Sequence, residues 1–170
     1  MPYLIAAVVF LGLLCALNLV LTLGLIRRAG PRGHAPEVHP GPPVALGPGA
    51  RPAGFMSVTT DDLPVSGETL TGLVGFFSAG CDPCHALAPG FAAHARAAGR
   101  DHVLAVVAGD DPELVAMLAP AARVIVEDYE GPVASAFQNT WTPALYLIDD
   151  DHTILATGGR LEDLPLRARA

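Results

Sequence analysis

The chain contains no lysine; its ten basic residues are arginines, set against seventeen acidic residues. Residues 54–170 hold six arginines and sixteen acids, and 6 − 16 gives −10 for that part alone. A domain so acidic repels a phosphate backbone, which excludes general nucleic-acid binding. Cysteine is scarce as well, three in 170 residues, and only Cys81 and Cys84 stand close together. Without a second cysteine pair, a four-ligand zinc site would have to recruit distant histidines, so no metal is expected. Charge is missing altogether from residues 3–26, most of which are Leu, Val, Ile or Ala. As a helix this segment rises about 1.5 Å per residue to roughly 36 Å, enough to cross a hydrocarbon core of about 30 Å.

A cleaved leader fits that segment poorly. No positive region precedes it, the apolar run is too long, and no small-x-small site follows it. The expectation is a retained single-pass helix over 3–26 with the lipid bilayer as its partner. Cys15, Asn18 and Thr22 lie inside it as small residues tolerated in lipid. Residues 27–53 are crowded with proline and glycine, keep no apolar period, and read as a semi-rigid extended spacer. His34 and His39 within it are not expected to bind metal.

From residue 54 to 170 the pattern is that of one globular domain. Short apolar runs at 73–77, 103–107 and 124–126 predict buried strands. They alternate with predicted helices over 83–98, 112–118 and 132–138, each of which opens on a proline. Runs at 144–148 and 153–156 predict a hairpin around Asp149-Asp150-Asp151, and 161–169 a short closing helix. This βαβαβ order followed by ββα implies an α/β domain with a mixed central sheet flanked by helices. Phe76, Phe77, Phe91 and Phe137 are the expected core aromatics.

The chemistry concentrates at Cys81-Asp82-Pro83-Cys84, between a predicted strand and a predicted helix. The i, i+3 spacing puts both sulfurs on one face of the first turn, within reach of a disulfide. Cys81, at the helix N-terminus, meets unpaired N–H groups and the positive dipole end, which favour its thiolate. Cys84, one turn in, is the resolving thiol. Pro83 suits a helix start, where its missing N–H costs nothing.

With these residues in place the sequence resembles the thioredoxin-like thiol–disulfide oxidoreductases, particularly the membrane-anchored TlpA/MauD type. The run from Val74 to Cys84 is similar to that family's strand leading into its CxxC, and Pro89 to the proline inside its first helix. Thr142-Pro143, just ahead of the apolar run 144–148, resembles the family's cis-proline site opposite the disulfide, and Gly158-Gly159 also fits. The resemblance implies a thioredoxin-like fold, a protein thiol or disulfide as substrate, a membrane thiol donor for re-reduction, and no cofactor. It makes Thr142 and Pro143 substrate-binding, with Trp141 beside them lining the groove.

The departures concern mechanism. Gly80 stands where the family often has Trp, Gly75 where thioredoxins carry a buried Asp, and Leu87 where ResA-type relatives have Glu. No matched carboxylate is left to take the resolving thiol's proton; Asp82, His85 or solvent could serve. Asp82 beside Cys81 opposes thiolate formation, which predicts a comparatively reducing couple. His85 is otherwise read as lying on a solvated helix face. Asp110-Asp111-Pro112-Glu113 reads as helix-start chemistry, Asp149-Asp150-Asp151 as a polar turn, and Glu127-Asp128-Tyr129-Glu130 as a solvated loop.

Two other functions compete. Cys81-x-x-Cys84-His85 is also the c-type haem attachment motif, with Met117 or a histidine as sixth ligand. That reading leaves Thr142-Pro143 unexplained. A redox-inactive thioredoxin-like binding module is opposed by the intact cysteine pair. For the membrane face, Arg27, Arg28 and Arg32 directly after the apolar segment argue for a cytoplasmic domain. The resemblance implies the extracytoplasmic side, where disulfides persist, and that side is the expectation.

Overall fold

The computed structural model describes residues 46–166, together with Leu11, Gly12, Leu14 and Cys15. The rest of the expected membrane helix 3–26, the spacer as far as residue 45 and residues 167–170 lie outside the described residues. Among the described residues no helix is long and apolar enough to cross a membrane.

The elements run β1 (Met56–Val58), β2 (Pro64–Ser66), β3 (Gly72–Ser78), α1 (Asp82–Ala98), β4 (Val103–Ala108), α2 (Pro112–Leu118) and β5 (Arg123–Glu127). They continue with α3 (Pro132–Ala136), β6 (Ala144–Ile148) and β7 (Ile154–Gly158). Helices α1, α2 and α3 each have a proline in their first two positions, where no backbone donor is lost. The main sheet has the order β5-β4-β3-β6-β7. Strands β3, β4 and β5 are mutually parallel, whereas β6 runs antiparallel to β3 and β7 antiparallel to β6. The expected mixed sheet is therefore present, with β3 at its centre.

That central place explains why β3 is apolar almost throughout: both of its faces are covered. Its period of two sends Phe76 and Phe77 to opposite faces. On one face Phe77 meets Phe91 of α1 edge-on, with ring centroids 5.1 Å apart, among Cys84, Ala88, Leu114 and Leu118. On the other, Phe76, Phe137 and Tyr146 form a mutual edge-to-face cluster with centroids 5.0 to 5.6 Å apart. Each such pair adds about 0.5–1.5 kcal/mol beyond the area it buries. The four expected core phenylalanines are all buried.

Three features differ from the sequence expectations. Of the closing helix predicted over 161–169, the described residues 161–166 hold a single 3-10 turn, Leu161–Asp163. Pro165 accounts for this: it pushes Leu164 into extended backbone (φ −104°, ψ 142°) and offers no N–H to continue a helix. The antiparallel hairpin β1–β2 had no counterpart in the apolar pattern. Finally, residues 46–53, read from composition as spacer, dock on the domain. The Gly49 N–H donates to the Ile154 carbonyl, Ile154 N–H to Ala50 and Ala53 N–H to Ala136, while Leu46 packs on the Phe76 face.

Candidate active site

Strand β3 ends at Ser78, and Ala79-Gly80 carry the chain to the start of α1. Gly80 has φ +69°, a left-handed conformation that strains a side chain, which gives glycine rather than tryptophan a local reason at this position. Cys81 is the N-cap of α1, and the Cys84 N–H donates to its sulfur at 3.2 Å. The two cysteines are joined in a disulfide with Cα atoms 5.2 Å apart. Cys81 is half-buried and Cys84 fully buried, so the N-terminal sulfur is the one within reach of a partner. Asp82 and Pro83 form the exposed outer side of the same turn.

Thr142-Pro143 is a cis peptide, and its Thr142 carbonyl oxygen lies 3.9 Å from the Cys81 sulfur. The fold thus brings together two segments sixty-one residues apart. A second link holds them there: the hydroxyls of Ser78 and Thr142 are hydrogen-bonded at 2.6 Å. Trp141, 46% exposed, stands next to this contact. From beneath, the buried Tyr146 hydroxyl donates to Asn139 Oδ1 at 3.0 Å, and Asn139 Nδ2 donates to the Trp141 carbonyl at 2.8 Å. Burial pushes the Tyr146 hydroxyl far above its ordinary value, so it remains a proton donor. Ser78, Asn139 and Tyr146 were not singled out in the sequence, because their roles arise only from pairing across the chain.

His85 is not simply a solvated residue. Its Nε2 lies 3.0 Å from Asp111 Oδ2, at the start of α2. Asp111 is itself anchored, since its Oδ1 accepts the Leu114 N–H at 3.0 Å as the α2 cap. That N–H, and then His85, hold the Asp111 carboxyl below its ordinary range against the opposing effect of burial. The acidic run 110–113 is therefore helix-start chemistry, as expected, with one acid also serving His85. Glu127 departs from the solvated-loop reading. It ends β5 half-buried, accepts the Val133 and Ala134 N–H groups at 3.1 and 2.8 Å, and burial raises its carboxyl.

The place of the missing core carboxylate is filled with rings. A Cβ on Gly75 would come within 2.5 Å of Phe91 and 2.9 Å of Phe77. Leu87 packs against the same core. Asp82 points into solvent. Among the described residues no group of three or more His, Cys, Asp or Glu could hold a metal ion.

A parallel-then-antiparallel sheet with a CxxC disulfide at the first turn of α1 and a cis-proline beside it is a thioredoxin-like fold. A cysteine pair so placed can form and open a disulfide with one sulfur accessible. No family model matches the chain, and no curated protein matches it. Solved structures do. The thioredoxin domain of a thiol-disulfide oxidoreductase from Bacteroides vulgatus superposes with TM-score 0.56 at 18% identity, covering 71% of this chain and 94% of that one. A putative thiol:disulfide interchange protein DsbE from Chlorobium tepidum gives 0.54 at 18%, covering 70% and 91%. StoA from Bacillus subtilis gives 0.51 at 20%, covering 67% and 92%. At these identities the likeness is one of fold.

Proposed function

We propose that the chain is a membrane-tethered thiol–disulfide oxidoreductase that reduces protein disulfides. The observation that carries this reading is the asymmetry of the pair: a reachable Cys81 sulfur beside the Thr142 carbonyl, with Cys84 buried behind it. In the reduced form, the Cys81 thiolate attacks one sulfur of a substrate disulfide and expels the other as a thiolate. Cys84 then loses its proton, attacks the Cys81 sulfur and releases the second substrate thiolate. Two electrons pass to the substrate, and the Cys81–Cys84 disulfide forms. A membrane thiol donor returns two electrons to the pair. The Thr142 backbone offers the substrate strand a place to pair beside the mixed disulfide. The reducing direction follows from Asp82, whose charge opposes the Cys81 thiolate.

The tether is the uncharged segment 3–26, and the redox domain faces the extracytoplasmic side. Intact mass with alkylation tests the chemistry. Two alkyl groups should appear on Cys81 and Cys84 only after reduction; a covalent haem adduct that survives reductant would overturn the reading. Topology has its own test. In intact cells treated with reductant, a membrane-impermeant maleimide should label Cys81. Labelling only after lysis would put the domain in the cytoplasm, as Arg27, Arg28 and Arg32 argue.

A further inference from the structure

We infer that His85, held by Asp111, is a positioning residue for thiol exchange: its imidazolium supports the Cys81 thiolate, so that Cys81 reactivity follows the titration of a histidine. This rests on the reading of Cys81 as the attacking thiol.

The placement comes from helix geometry. Cys81 and His85 are four residues apart, and the His85 N–H donates to the Cys81 carbonyl at 3.2 Å. Residues at that spacing lie on one side of a helix, and helical side chains lean toward the N-terminus, so His85 leaves α1 on the side of the Cys81 turn. Asp111 holds the imidazole at the α1–α2 junction through its Oδ2, while its Oδ1 is committed to the α2 cap. The His85 side chain is 32% exposed, open enough to exchange protons with solvent yet partly shielded from screening.

The surrounding charges give this placement its effect. Asp82 follows Cys81 on the exposed side of the α1 start, Asp111 touches His85 from the start of α2, and Asp110 and Glu113 flank Asp111 there. All are acids, and all oppose a thiolate. Among the described residues the ion pairs are His85–Asp111 and Arg100–Asp61, and Arg100 follows the opposite end of α1. His85 is thus the cation paired with an acid beside the N-terminal turn of α1, that acid being Asp111. With the core slot at Gly75 filled by aromatic rings, the groups that tune the pair lie at the surface. When His85 is protonated, the Cys81 thiol gives its proton to water and the thiolate is paired with an imidazolium. Once His85 loses its proton, the thiolate keeps the Cys84 N–H and the helix N-terminus but meets the acids without a side-chain cation.

The test follows Cys81 alkylation rate and ultraviolet thiolate absorbance in the reduced full chain, from about pH 4 to 9. The natural chain should show two steps, one belonging to the histidine. His85→Gln should remove that step and cut the thiolate fraction near pH 6 by about tenfold, the low end of what a neighbouring opposite charge does. His85→Lys should restore the thiolate without the histidine step. Asp111→Asn keeps an N-capping side chain on α2 and should move the step to lower pH. A His85→Gln profile matching that of the natural chain would overturn the inference and leave the exchange mechanism standing. If Cys84 rather than Cys81 is the alkylated thiol, the exchange mechanism falls and the inference with it.

Discussion

Cys81→Ser is expected to lower the rate of disulfide reduction by roughly a thousandfold or more, because the hydroxyl neither ionises at neutral pH nor forms a disulfide. Cys84→Ala should fail differently. With Cys81 intact the first attack proceeds, but no second thiol releases the substrate, and the chain accumulates as a mixed disulfide. Alanine is the better replacement because Cys84 is fully buried among Ala88, Phe91 and their neighbours, where a serine hydroxyl would need a partner. Turnover assays against a model protein disulfide, with intact mass on the trapped species, separate the two. Turnover retained by Cys81→Ser, or an adduct mapped to Cys84, would reverse the assigned roles.

Gly75→Asp carries the largest expected cost in stability, roughly 2–6 kcal/mol. This substitution writes the thioredoxin carboxylate into the sequence, but the space it needs is already taken. The new Cβ alone meets the rings of Phe91 and Phe77, and displacing them overpacks a core face at about 1–3 kcal/mol. The carboxyl then lies buried beside aromatic rings, and leaving a buried polar group without a partner costs a further 1–3 kcal/mol or so. Urea unfolding measures the sum as a fall in midpoint. Natural stability in this variant would mean that Phe91 can leave its place, and that the absent carboxylate is a matter of choice rather than of space.

Much of this architecture was legible in the chain because it depends on local pattern. Uninterrupted apolar runs marked β3, β4 and β6, since strands covered on both faces need no polar alternation. Proline at the helix starts marked α2 and α3, and the CxxC between strand and helix marked the site. The hairpin β1–β2 escaped because its strands are three residues each and place few side chains in the core; Met56 and Val58 are exposed and only Val65 is deeply buried. What the site owes to distance was equally hidden. Ser78 meets Thr142 across sixty-four residues and His85 meets Asp111 across twenty-six, and neither spacing leaves a periodic trace. Gly75 and Leu87 showed that a carboxylate was missing, but only packing showed what stands in its place.

The disulfide joins the N-cap of α1 to a residue three positions later. A ring that small confines almost no chain, so opening it changes the entropy of the unfolded state little. A thermodynamic cycle then links two measurements usually made apart. The difference in unfolding free energy between the oxidised and reduced chain equals the difference between the potential of the pair in the fold and in the unfolded chain. About 1.4 kcal/mol of that difference corresponds to 30 mV. Two denaturation curves, one in each redox state, therefore report how far the fold moves this couple from that of a free peptide, and in which direction, with no substrate present.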